Sequence, residues 1–242
     1  MLMAMMVMVM GAADVDLQGW VEEGRVIPDR AGDAYADDRD CNAAVDAYWQ
    51  AMVMHELRGD DWFTGVAAND LGLVDFQCPR AIGSRAPELF DYVARLRRAR
   101  GDKEGLRKAL NNQSASLLGF ILLDDAAPVI AETLALAQVL GDPVAERKAL
   151  TNEASRLALY CTELVRLRVR GDDRGDGLGF PSQCVHRADG TVGYAPETEV
   201  RIHEVLKLAV AAARKTGMDN ATLCTAFGMG SQRVLCELLP KE

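Results

Sequence analysis

The chain has 242 residues, of which 49% are hydrophobic and only 6% aromatic, and its net charge is −9. Ala and Leu dominate the apolar set, a composition that favours a folded helical protein and argues against disorder or a strand-rich architecture. Residues 1–75 carry 15 acids against 4 bases, while the remainder carries 21 against 23. The acidic third would repel phosphate, so nucleic acid is not an expected partner.

Met1 to Met10 is almost wholly Met, Leu, Val and Ala, followed by Gly11-Ala12-Ala13-Asp14. The run has the apolar core of a secretory signal but no positive start, and about ten residues cannot span a bilayer. It reads either as a signal-like start or as an apolar arm that packs on the end of the molecule or on a second copy. Cytoplasmic residence without a membrane span is the expectation. Six cysteines at 41, 78, 161, 184, 224 and 236 form no Cys-x-x-Cys pair. They read as separate buried thiols in a reducing compartment. Cys184-Val185-His186 is the closest Cys/His pair and falls short of a four-ligand zinc set, so neither a metal nor another cofactor is expected.

From Gly59 to Leu159 the chain repeats itself. Gly59-Asp60, Gly101-Asp102 and Gly141-Asp142 are each followed by an amphipathic segment, and the small residues Gly72, Ser114 and Ala154 keep the same offsets of 42 and 40. Gly32 fits one period upstream. A fixed period of this size is the mark of stacked supersecondary units. In each Gly-Asp pair the Gly suits a left-handed helix end and the Asp suits the cap of the next helix.

Around the upstream Gly the chain reads Gly32, Tyr35, a polar turn, then Ala44, Tyr48 and Ala51. These residues lie at the spacing of a tetratricopeptide repeat, and residues 25–160 resemble that family in a variety with a longer period of about 40, frequent in bacterial signalling and assembly proteins. The resemblance implies an all-α, right-handed superhelical solenoid of helix-turn-helix repeats. In the second unit Val66, Ala67, Leu71, Gly72, Leu73 and Phe76 precede a turn at Pro79–Ser84. Ala86, Leu89, Phe90, Val93 and Leu96 then form a stripe at helical spacing. The third unit offers Leu106, Leu110, Ser114, Leu117 and Leu118, then Ala126, Ile130, Leu134 and Leu136, with Asp124-Asp125 as the expected cap of the second helix. The fourth begins at Pro143 with Ala149, Leu150, Ala154, Leu157 and Ala158 and stays helical to Arg170.

Beyond it, Gly171 to Gly177 breaks the pattern, and residues 184–187 and 191–194 suit a small hairpin. Glu197–Lys215 reads as an amphipathic helix burying Val200, Ile202, Val205, Leu206, Leu208, Ala209 and Ala212, ended by Gly217. Two short C-terminal helices around Gly228-Met229-Gly230 follow. The expected organisation is an arm (1–24), the repeat array (25–170), a loop with hairpin (171–196) and an irregular helical cap (197–242).

Catalytic constellations are missing. The three histidines lie in no nucleophile or metal motif, and Gly175–Gly179 has no Lys-Ser/Thr after it. Asp37, Asp38 and Asp40 suit a helix cap better than calcium, lacking the loop glycine and terminal Glu. The expected activity is therefore non-enzymatic: an adaptor holding a peptide or protein. The alternatives are a peptide-sensing regulator whose C-terminal helices contact DNA or another effector, and an accessory subunit of an enzyme. In the family the chain resembles, the first helix of each unit lines a peptide-binding groove. Asn69, Asn111 and Thr151 stand three residues before the small position, Asn112 and Asn152 stand two before it, and Lys108 and Lys148 lie one turn earlier. Side-chain amides there could bond a peptide backbone, or instead bond the neighbouring helix; the lysines could meet a carboxylate. The first unit offers Asp29, Asp33 and Asp37 in place of a basic residue.

Overall fold

The computed structural model describes residues 41–77, 85–169, 184–186, 188, 192–218 and 222. The apolar arm, Gly32 and Tyr35, the turn at Pro79–Ser84, the glycine-rich stretch from Gly171 and, apart from Thr222, the two expected C-terminal helices fall outside those residues. The chain divides into two compact units, Met1–Arg85 and Ala86–Glu242. The described residues are mostly helical, as the Ala/Leu composition predicts, and consecutive helices pack on one another.

In the first unit, α1 (Cys41–Leu57) packs on α2 (Asp61–Gln77) across a three-residue turn. Gly59 takes φ +68°, which closes α1 with Asp60 N–H donating to the His55 carbonyl at 2.9 Å. The carboxylate of Asp60 then accepts from Phe63 N–H at 3.3 Å and starts α2. Ala44, Ala51, Ala68 and Leu71 are buried, and the three small alanines let the two helices approach. In the last turn of α2 the fully buried Asp75 accepts the backbone N–H of Arg85 at 2.6 Å.

The second unit contains α3 (Ala86–Ala99), α4 (Lys103–Gly119), α5 (Leu123–Leu140), α6 (Pro143–Val169), the strands β1 (Cys184–His186) and β2 (Val192–Tyr194), and α7 (Pro196–Arg214). Each helix packs on the next, and α4 also touches α6. The Gly-Asp pairs punctuate as their chemistry requires. Gly101 and Gly141 lie at φ +70° and +63°. Asp102 caps α4 through Gly105 N–H at 2.9 Å, and Asp142 caps α6 through the N–H groups of Val144 and Ala145, both at 3.0 Å. Pro143 stands at the first position of α6, where its missing donor is no loss.

One cluster joins Leu117 and Leu118 of α4 to Leu123, Ala126 and Ile130 of α5. A second joins Leu150, Ala154, Leu157 and Ala158 of α6 to Ile202, Val205, Leu206, Ala209 and Val210 of α7. The strands pair antiparallel, with Cys184 opposite Tyr194 and His186 opposite Val192, at the place where the sequence suits a hairpin.

Three expectations need correction. Asp124 and Asp125 do not cap α5, because the helix begins one residue before them, at Leu123, and Leu122 in the cap position has no side-chain bond. Asp124 instead accepts the hydroxyl of Tyr160 on α6. Val200 and Leu208 are not core residues: at 58% and 56% exposure they lie on the outer side of α7, and Val210 and Ala213 fill the inner side with Ile202 and Leu206. Cys161 and Cys184 are not separate thiols; a disulfide joins them.

Candidate functional site

The sequence-derived positions divide between the two units. Asn69 lies on α2 of the first unit, where its amide donates to Asp70 at 3.2 Å. Asp70 is partly buried; desolvation raises its carboxyl pKa, and the bond from Asn69 opposes that shift. The remaining positions fall on α4 and α6, the two first helices that touch.

Ser114 is the hinge of that contact. It is fully buried, donates its hydroxyl to the Asn111 carbonyl at 2.9 Å and accepts the side-chain amide of Asn152 at 2.9 Å. Asn152 is thus used between helices, one of the two readings its sequence position allowed. The small side chain at 114 is what admits the amide of the next first helix.

Around this bond the polar groups are less well served. The side-chain oxygen of Asn111, one turn before Ser114, is buried and without a hydrogen-bond partner. The same holds for the hydroxyl of Thr151, the residue before Asn152. Buried polar atoms are nearly always bonded, and leaving one unsatisfied costs about 1–3 kcal/mol, so each such atom asks for an explanation. Asn112 lies half-buried beside Asn111 on α4. Lys108 is exposed and held by Glu104 one turn earlier at 2.7 Å. Lys148 is exposed on α6.

Two arginines stand next to those lysines in the sequence. Arg107 is buried and reaches Asp142 at 3.3 Å, so the acid that caps α6 also neutralises a cation of α4. Arg147, one 40-residue period later, is only 7% exposed, and its Nε is unpartnered. Burial lowers its pKa, and no carboxylate offsets the effect. Arg156, farther along α6, behaves in the opposite way. Two bonds to Glu153 at 2.8 Å raise its pKa, and it lies over the Tyr160 ring, which in turn bonds Asp124. The signal that could have found Arg107 and Arg147 was the repeat itself, since the 40-residue offset places Arg-Lys at 107–108 and again at 147–148.

α4 and α6 therefore carry buried arginines and the buried, unpaired Asn111 oxygen and Thr151 hydroxyl, with Lys108 and Lys148 on their exposed sides. Among the described residues there is no group of three His, Cys, Asp or Glu that could hold a metal ion, and no helix is long and apolar enough to cross a membrane.

No family model matches the chain, and no curated protein matches it. Among solved structures, the crystal structure of BtubC (BKLC) from P. vanneervenii is similar with a TM-score of 0.38 at 13% identity, over 95% of this chain and 96% of that one. A likeness that faint carries no argument about this protein.

Proposed function

We propose that the protein is a non-enzymatic scaffold that holds an acidic peptide or protein segment against α4 and α6. The observation that carries this reading is the desolvated, acid-free Arg147 one helical turn before the unpartnered Thr151 hydroxyl on α6, together with the unpartnered Asn111 oxygen on α4. A carboxylate supplied by a partner would neutralise the first and accept from the second. A backbone amide of an extended segment would donate to Asn111.

Within the second unit, the proposed architecture is a right-handed solenoid of tetratricopeptide-like pairs. Two bonds support stacking in register. Asn152 to Ser114 ties first helix to first helix, and Arg98 of α3 to Glu132 of α5, at 2.8 and 3.0 Å, ties second helix to second helix. In such an array the first helices share one continuous face. An adaptor, assembly or signalling role belongs to the same proposal, with the partner setting the biological meaning.

The test is a binding titration of the full chain with fluorescent peptides matched in length but differing in charge. Acidic peptides should bind and basic ones should not. Lys148→Glu, a surface change, should weaken the acidic peptides about tenfold by reversing one charge in the site. Equal binding by the variant, or no preference for acidic peptides, would overturn the proposal.

A further inference from the structure

The fourth helix pair is built unlike the third. Three residues, Phe120 to Leu122, join α4 to α5, whereas residues 170–195 separate α6 from α7. Even so, α7 folds back along α6. Lys215 just beyond its C-terminus reaches Glu146 near the start of α6 at 3.2 Å, and the hydroxyl of Tyr194 just before α7 donates to the Ala158 carbonyl at 3.4 Å. Between these ends the side chains of α7 fill the same cluster as Leu150, Ala154, Leu157 and Ala158. A long connection makes such docking entropically harder than a three-residue turn does.

The disulfide shortens that connection. Cys161 on α6 and Cys184 on β1 are bonded, with their Cα atoms 5.5 Å apart. Along the chain, Pro196 is 35 residues from Cys161; through the bond it is 12 residues from Cys184. The ribbon then delivers the chain directly into α7, with Tyr194 packed on the α6–α7 cluster and Ala195 buried at the helix start. We propose that the Cys161–Cys184 disulfide is a redox-sensitive strap that holds α7 in place as the closing helix of the fold, so that reduction loosens α7 while leaving α3 to α5 intact.

The chemistry is ordinary exchange. A dithiol reductant attacks one sulfur and forms a mixed disulfide, and its second thiolate releases the protein sulfur. Cys161 and Cys184 leave as thiols, and the reductant leaves as its own cyclic disulfide with the two electrons accounted for. Both cysteines are buried, at 3% and 4% exposure, so exchange proceeds through an opened form and the strap resists casual reduction. This inference is independent of what α4 and α6 bind.

Hydrogen exchange of the full chain, read by peptide mass before and after dithiothreitol, tests it. Amides of α7 should exchange about fivefold faster after reduction, the effect of the longer tether alone by loop-length scaling, while those of α3 to α5 stay unchanged. The double variant Cys161→Ser with Cys184→Ser should match the reduced chain and show no response to dithiothreitol. If that variant does not fold, the reduced natural chain still decides. Unchanged α7 exchange after complete reduction overturns the proposal. So does alkylation of both thiols in the untreated protein, or an equal dithiothreitol response in the double variant.

Discussion

Ile121 stands out among the turn residues. The helix ends at Gly59, Gly101, Gly141 and Gly217 all use glycine at positive φ, but the turn after α4 puts a β-branched side chain at φ +62° and leaves it 36% exposed. That conformation strains an Ile by roughly 1–2 kcal/mol, whereas Asn accepts it more readily. Ile121→Asn relieves that strain but gives up a comparable partial burial, so its urea midpoint should stay within about 1 kcal/mol of the natural chain's, far less than an ordinary loss of a buried Ile. His55 carries a different residue-scale effect. It is buried against the Phe63 ring, with centroids 5.2 Å apart, and its Nδ1 is unpartnered. Burial lowers its pKa below the ordinary 6.5, Asp60 opposes that and Arg58 adds to it. The folded chain thus prefers the neutral ring. Its contribution is complete above about pH 6.5, and it is lost as pH falls through that value towards the folded pKa, because the unfolded chain takes up the proton first. Urea midpoints at pH 7.5 and 5.5 should differ more for the natural chain than for His55→Phe. An equal difference would contradict the assignment.

At the scale of elements, the aspartates of the Gly-Asp pairs do two jobs where the sequence suggested one. Asp142 caps α6 and also faces the buried Arg107; Asp102 caps α4 and lies 3.5 Å from the buried Arg97. Asp142→Ala removes both the cap and the counter-charge and should cost about 2–4 kcal/mol. Asp142→Asn keeps the cap and should cost clearly less in the same denaturation experiment. The caps were legible because both partners lie within three residues. The ion pairs were not, since Arg107 and Asp142 are 35 residues apart and nothing local links them. A similar limit explains α7. Periodicity identified the helix, but which apolar stripe turned inward depended on α6, and Val200 and Leu208 ended up outside. Asp124 shows the limit from the other side: its sequence position suits a cap, yet Tyr160 from another helix takes it. On α4 the apolar stripe was legible, with Leu106, Leu110, Ser114, Leu117 and Leu118 all buried, while the buried Arg107, Ala109 and Ser116 beside it were not.

For the whole molecule, the repeat period announced packed helix pairs, and the second unit delivers consecutive packed helices with α4 touching α6. The candidate site was half legible. The phase of the small residues pointed to Asn111, Thr151 and Asn152, but only the packing shows that Asn152 is spent on Ser114 and that Arg147 is buried without an acid. The site claim rests on α4 and α6 answering together to one anionic segment. The most direct measurement is an NMR titration of the full chain with an acidic peptide, following the side-chain amides of Asn111, Asn112 and Asn152 and the backbone amides near Thr151. Shifts concentrated on Asn111, Arg147, Lys148 and Thr151, fading with added salt, are the predicted result. A saturating peptide that leaves those resonances in place, or moves only residues elsewhere, would contradict the account.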